Sequence, residues 1–296
     1  MNKIVTHGTS NFHTDDVFAV AVLDILLKGD IEVIRTLDKD VINTADFVVD
    51  IGLVYDPEKN RFDHHQEGGA GKRENGIEYA SVGLVWKHFG SKICDSKEIA
   101  DIVDSRLIQP IDAGDNGQDL FELKTEVEPY LLHNVVSAYR NDGDSTDADL
   151  KSFLEVEKIA KVILQKEIKS AKNFVESKKE TLDAYNKSEN KQIIVFDNEN
   201  YSDDARAGVL SDFQEPLYIV RPDKERGAWR IKAIRKSKYG FANRKDLPKA
   251  WGGLVEKELQ EVSGVPDAMF CHRALFTASV LSKEGAVAMA QKALEN

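Results

Sequence analysis

Cysteine is scarce in this 296-residue chain, and the two present, Cys94 and Cys271, stand far apart and at no metal-ligand spacing. That excludes a disulfide framework and a cysteine-ligated zinc site, and both are read as reduced thiols. Long apolar runs are missing too, so no membrane-spanning segment and no membrane partner are expected. The opening residues, Met1-Asn2-Lys3-Ile4-Val5, pass directly into a strand-like pattern. They lack the charged and apolar regions of a signal peptide and the Arg-rich face of a transit peptide, which makes a cytoplasmic protein the expectation. Positive charge is in deficit: 40 Lys and Arg against 51 Asp and Glu give a formal net charge of −11. Broad, sequence-blind wrapping of nucleic acid needs the opposite balance. A basic groove stays compatible with it, and carboxylates gathered around divalent cations would inflate the negative count without repelling a phosphate. The oligomeric state is not legible.

What is present centres on Arg61-Phe62-Asp63-His64-His65-Gln66. Each imidazole titrates near neutral pH and must be oriented by a partner, so two adjacent histidines behind an aspartate suit a metal or a phosphate better than a surface loop. Further acid or histidine clusters flank this stretch, each just after an apolar run. Asn2 to Thr6 reads as a strand that delivers His7 into a loop ending in His13-Thr14-Asp15-Asp16, where a buried helix begins. Asp15 or Asp16 can cap that helix. His7 and His13 on the same loop favour ligation, since capping has no use for imidazoles. Ile31 to Thr36 and Phe47 to Gly52 read as strands, and Asp50 stands at the carboxyl end of the second, where ligands of open α/β sheets gather. An aspartate there is costly to bury unless paired or coordinated; a plain strand-terminal turn is the alternative. Tyr55-Asp56-Pro57 reads as a turn. The glycine-rich run Glu67 to Gly76, with Lys72 and Arg73, suits a mobile flap closing on an anion, or a simple flexible loop. Helices over Ser81 to Phe89 and Lys97 to Gln109 lead to a last acidic cluster, Pro110 through Gly117, which holds Asp112 and Asp115. Together the clusters look like a dinuclear metal site.

Beyond it the spacing predicts a helix over Glu126 to Tyr139, broken by Asn141-Asp142-Gly143-Asp144-Ser145, and a long helical segment from Asp149 to about Lys187 that connects two domains. The boundary near Ser188 divides the chain into an α/β domain, 1–188, and a smaller α+β domain, 189–296. In the second, Gln192 to Phe196, Pro216 to Val220 and Trp229 to Ile234 read as strands, and Glu256 to Val262 and Glu284 to Leu294 as helices. Arg221, Arg226, Arg230, Lys232, Arg235, Lys236, Lys238 and Arg244 interleave with Trp229, Tyr239 and Phe241. Such a mixture suits a groove for single-stranded nucleic acid, and equally the charged face of an ordinary hairpin. Ala268 to Cys271 reads as a buried strand presenting His272 and Arg273 at its exit. There Arg273 can offer a two-point contact to a substrate phosphate, or both can cap the strand and pair with Asp267 or Glu284.

In this order, Thr6-His7, Phe12-His13-Thr14-Asp15-Asp16, Val49-Asp50-Ile51-Gly52, Phe62-Asp63-His64-His65-Gln66, Ile111-Asp112-Ala113-Gly114-Asp115-Asn116-Gly117 and Trp251-Gly252-Gly253-Leu254 resemble the melanocyte-proliferating-gene family of DHH-type phosphoesterases, relatives of RecJ-like exonucleases and manganese pyrophosphatases. The resemblance implies a DHH-type parallel-sheet catalytic domain, a C-terminal substrate-binding domain, and 3′-to-5′ trimming of RNA or short oligonucleotides. It also implies two Mn2+ or Mg2+ ions, with His7, His13, Asp15 and Asp50 at the first, Asp50 bridging, His64 and Asp112 at the second, and His65 toward the phosphate with Asp63 among the catalytic residues. Arg230, His272 and Arg273 would meet substrate. Two departures stand out. Many DHH enzymes carry an aspartate four residues after the first histidine, where this chain has Asn11 and, two residues on, His13; and Ala274 to Ser279 lacks the paired glycines of the family's substrate loop. Carboxylates with imidazoles suit manganese. A hydrolase of a dinucleotide or pyrophosphate, and a nucleic-acid-binding protein with a degenerate metal site, are the alternative functions.

Overall fold

The apolar stretches of the first half become strands β1 (Asn2–Thr6), β2 (Ile31–Arg35), β3 (Phe47–Val49), β4 (Tyr55–Asp56) and β5 (Arg61–Phe62) of one sheet, ordered β2-β1-β3-β5-β4. In this computed structural model, residues 1–8, 11–140, 146–237 and 240–296 are described. β1 runs parallel to β2 and β3, and β3 parallel to β5, while β4 pairs antiparallel with β5. Tyr55-Asp56 is therefore a short edge strand rather than a turn. The parallel pairing sets the carboxyl ends of β1, β3 and β5 side by side, and His7, Asp50 and Asp63 each follow one of them directly.

Helices α1 (Thr14–Leu26), α2 (Lys39–Thr44), α3 (Ser81–Cys94), α4 (Lys97–Val103), α5 (Gln109–Asp115), α6 (Leu132–Ser137) and α7 (Thr146–Lys187) accompany the sheet. α1 is buried at every position from Thr14 to Asp24, which matches its nearly unbroken apolar run, and it packs against α3 and α5. A wide helical turn, Asp104–Ile108, joins α4 to α5, so the acidic cluster from Pro110 to Asp115 is itself largely helical. Pro110 is tolerated there because the first turn of a helix has no use for its missing N–H. The helix expected over Glu126 to Tyr139 shrinks to α6. Pro129 explains the loss: it lacks a donor and biases Glu128 away from helical backbone. The break expected at 141–145 lies outside the described residues.

The chain forms two units, Met1–Ala171 and Lys172–Asn296, and the division falls within α7. The second unit contains β6 (Ile193–Val195), α8 (Asp203–Leu210), β7 (Tyr218–Asp223), β8 (Ala228–Ala233), α9 (Glu256–Ser263), β9 (Ala268–Cys271), β10 (Thr277–Val280) and α10 (Lys283–Glu295). Its sheet is ordered β6-β7-β8-β10-β9; β6 and β7 are parallel and the other pairs antiparallel. Tyr218, Val220, Ile231, Leu259, Ala278 and Met289 fill its core. The short helices α2 and α8 carried no periodic signal long enough to be read from sequence. No helix among the described residues is long and apolar enough to cross a membrane.

On α7, Glu157 is buried against Asp24 of α1, whose carboxylate is 2.5 Å from Lys161 Nζ. Burial, then the charge of Asp24, pushes the Glu157 carboxyl up from 4.5 to about 7. A carboxyl whose folded pKa is raised stabilises the fold fully below its unfolded pKa, and that contribution is lost as pH rises through about 7. Glu157→Gln should therefore match the parent at acid pH and gain in thermal midpoint over it at pH ~8. Calorimetry at both pH values checks this, and equal midpoints at the higher pH would remove Glu157 as the cause.

Candidate metal centre

His13 is the N-cap of α1, and the Asp16 carboxylate turns back to accept the His13 backbone N–H at 2.9 Å. The two readings of the aspartate pair are thus divided between them: Asp16 serves the cap, and Asp15 faces the other acids. His7, one residue beyond β1, places Nε2 3.2 Å from Asp16 Oδ2 and 3.3 Å from Asp50 Oδ2, and its ring centroid is 5.3 Å from that of His13. Asp50 leaves β3 with φ of 58°, a left-handed backbone that aspartate tolerates better than most residues. Ser81, which opens α3, donates its hydroxyl to Asp50 Oδ1 at 3.1 Å and its backbone N–H to Asp15 Oδ2 at 3.3 Å, so the positive end of the α3 dipole meets both acids. His64 Nε2 lies 3.3 Å from Asp50 Oδ1, 3.3 Å from Asp115 Oδ2 and 3.8 Å from Asp15 Oδ2.

Asp63 holds His65, whose Nδ1 also lies 3.6 Å from Asp50 Oδ1. The buried Asp63 carboxylate accepts the Leu53 N–H at 2.6 Å and the His65 N–H at 3.1 Å, and it holds His65 Nδ1 at 2.8 Å. Half of the His65 side chain is exposed, and Nε2 is the ring nitrogen left for a further contact. The bond to Asp63 raises the His65 pKa.

Burial governs the electrostatics. It works to depress the His7 imidazole, but the carboxylates of Asp16 and Asp50 outweigh it and push the ring up to about 9. Burial works to raise Asp50, but His64 and His7 hold it well below the usual carboxylate range. Asp15 has no such relief: burial, then the neighbouring charges of Asp50, Asp115 and Asp16, push its carboxyl far up. Asp115 is also raised, chiefly by burial, against the pull of His64.

These side chains fit a divalent metal. Donor atoms within 4.8 Å of one another converge in three overlapping groups: His7, His13 and Asp50; Asp50, His64 and His65; and His13, Asp15 and Asp115. Asp15 Oδ1, Asp50 Oδ2 and His64 Nε2 are buried and make no hydrogen bond of good geometry among the described residues, and such buried atoms need a partner. The donors are imidazole and carboxylate without thiolate, and Cys94 and Cys271 are in neither the groups nor their contacts.

Asp112 is placed differently from the other acids named from sequence. Its Oδ2 is 2.7 Å from Arg73 Nη1, and its Oδ1 accepts the N–H groups of Ala80 and Gly83 at 3.2 and 3.0 Å. It belongs to none of the three groups, whereas Asp115, one helical turn on, does. Gly83 permits this approach, since a Cβ there would meet Asp112 Oδ2 at 1.9 Å. Arg73 is buried between Asp112 and Asp104, and Lys72 bridges Glu78, so the flap expected from the glycine run is pinned by its own arginine. In the second unit, Arg230 pairs with Asp223 at 2.6 Å, Lys232 with Asp204 at 3.1 Å, and Arg221 with Asp203 and Glu199. Lys238 and Tyr239 of the same stretch lie outside the described residues. His272 Nδ1 accepts the Ala274 N–H at 3.0 Å within the β9–β10 turn, and Arg273 is exposed and forms no ion pair among the described residues.

A family model, MYG1_exonuc, described as an uncharacterised protein family (UPF0160), matches residues 3–294. The chain belongs to the MYG1 family. Among MYG1 relatives, the MYG1 protein C27H6.8 of Caenorhabditis elegans is 28% identical over 336 residues, covering 100% of this chain and 96% of its own. The human MYG1 exonuclease is 27% identical, covering 99% and 85%, and a Schizosaccharomyces pombe MYG1 protein is 26% identical, covering 99% and 97%. The resemblance to the melanocyte-proliferating-gene family read from the His and Asp motifs is thereby borne out as to the family itself.

Asp115 was left without a role by sequence spacing, and Ser81 and Arg35 were missed. Only the turn of α5 tells Asp112 from Asp115, because both stand in one acidic cluster. If Asp112 is a partner for buried Arg73, Asp112→Ala should cost about 1–3 kcal/mol by leaving Arg73 Nη1 and the Ala80 and Gly83 N–H groups without their acceptor, while Asp104 still holds the guanidinium. Denaturant unfolding measures it; a variant of parental stability that had lost divalent-ion binding would return Asp112 to the ligands.

Proposed function

We propose that this MYG1-family chain is a metal-dependent phosphodiesterase, an exonuclease that removes nucleotides from the 3′ end of RNA or short oligonucleotides with two Mn2+ or Mg2+ ions. One observation carries the reading: Asp50 and His13 are each shared between overlapping groups of metal-type donors, as a pair of ions with a bridging carboxylate requires. His7, His13 and Asp50 would hold the first ion, and Asp15, Asp50, His64 and Asp115 the second. The exonuclease name of the human and mouse relatives supports the same chemistry.

When bound, the ions supply the positive charge that lowers the pKa of a water and polarises a phosphate. The residues do the rest. Asp63 fixes the His65 tautomer and aims Nε2 outward, where a protonated imidazole donates a hydrogen bond to a phosphate oxygen as charge builds on it. Asp16 and Ser81 orient His7 and Asp50, so little reorganisation is needed when substrate arrives. Because Arg221, Arg230 and Lys232 are already engaged by acids, the second unit offers less free positive charge than a long polyanion would use. That favours short substrates, and keeps a dinucleotide within the same reading.

Incubation with Mn2+ and a panel of 3′- and 5′-labelled RNA, DNA, dinucleotide and pyrophosphate tests the substrate class; cleavage of pyrophosphate alone would overturn the nuclease reading. Asp50→Asn should lose both metal binding and hydrolysis while keeping the fold, since the amide is nearly isosteric but a poor bridging ligand. His65→Ala should keep its metal and lose rate by roughly 10²–10³. If His65→Ala instead loses metal at an unchanged turnover number, its place at the substrate is wrong.

A further inference from the structure

Arg35 ends β2, opposite Thr6 in the β1–β2 register and so beside the strand exit that carries His7. Its side chain is almost fully buried. The guanidinium carbon lies 5.2 Å from the Phe12 ring centroid and 4.8 Å from that of Phe153, and the two rings meet edge to face at 5.5 Å. From this aromatic cradle it reaches in two directions. Nε donates to Asp149 Oδ2 of α7 at 3.1 Å, and Nη1 lies 3.5 Å from Asp16 Oδ2.

Asp16 is the pivot. It belongs to none of the three converging donor groups, yet it touches both imidazole-bearing residues of the first: Oδ2 is 3.2 Å from His7 Nε2, and Oδ1 accepts the His13 backbone N–H. Thr6 adds its hydroxyl to Oδ2 at 3.4 Å. We propose that Arg35 is a positioning residue of the metal centre: braced by Asp149 and by the rings of Phe12 and Phe153, it fixes the Asp16 carboxylate and through it the His7 and His13 ligands. The inference rests on the reading of His7, His13 and Asp50 as metal ligands. A planar guanidinium can span two carboxylates in a fixed geometry while lying flat against two rings, whereas the compact ammonium of lysine has no such flat fork. Groups that orient ligands in this way commonly govern metal affinity as strongly as some ligands do.

The test is an Mn2+ titration of the full chain followed by electron paramagnetic resonance, with thermal midpoints recorded separately in chelator. Arg35→Lys keeps the charge, so the local field changes little and geometry is what is lost. Its Mn2+ dissociation constant should rise by about 10–100-fold, and turnover should recover as Mn2+ is raised. Asp149→Asn, which frees the far end of the brace, should shift the constant in the same direction by a smaller factor, and it carries the test if the Lys variant fails to fold. A purely structural cross-link would lower the midpoint and leave the Mn2+ constant alone, so parental affinity in a folded Arg35→Lys, or in Asp149→Asn if the Lys variant does not fold, overturns the proposal. A parent that binds no Mn2+ overturns the metal-centre reading itself, and this inference falls with it.

Discussion

Four carboxylates, those of Asp15, Asp16, Asp50 and Asp115, are gathered with the imidazoles of His7, His13, His64 and His65, and Asp15, Asp16 and Asp50 are buried from water. Like charges so close cannot all ionise in a poorly solvated environment without compensation. The protein answers with local devices: the imidazoles of His7 and His64 beside Asp50, the amino end of α3 against Asp15 and Asp50, and Arg35 against Asp16. At Asp15, burial and the neighbouring carboxylates of Asp50, Asp115 and Asp16 all push the carboxyl up. Under the proposed function, a divalent cation at these donors would compete with protons for them.

The sheet makes that gathering possible. Parallel strands bring chain segments from residues 7, 50 and 63 to one edge without long excursions, and the central helix α1 starts at the same edge. Because α1 is buried all round, its amino end is rigid, and the acids at its first turn inherit that rigidity. Asp63 does comparable work on a smaller scale: a single carboxylate binds the backbone of Leu53 and both the backbone and ring of His65, so one buried group fixes the loop after β3 and the histidine after β5 together.

Much of this was legible in the sequence. Apolar runs ending in His7 and Asp50 announced strands whose exits share a site, and the charged, periodic stretch to Lys187 announced α7, while the two-residue strand before Asp63 carried no such signal. What stayed hidden depended on contacts between distant residues. Asp112 and Asp115 are indistinguishable until α5 turns one toward Arg73 and the other toward His64. Arg221 looked available because its partners, Asp203 and Glu199, lie on and before a helix too short to read by periodicity. Arg35 looked like an ordinary end to a strand; only Phe153 and Asp149, more than a hundred residues away, reveal its setting.

The left-handed backbone at Asp50 restricts how this position can change over time. Asparagine and glycine share aspartate's tolerance of that conformation, whereas a longer or branched side chain would strain it. Glutamate, the obvious way to keep a carboxylate, would also project it one carbon further into a space already occupied by His7 and His64. Substitutions that the backbone accepts are therefore those that remove the negative charge. Under the proposed function, a lineage that exchanges this carboxylate for asparagine keeps the backbone and loses the bridging ligand.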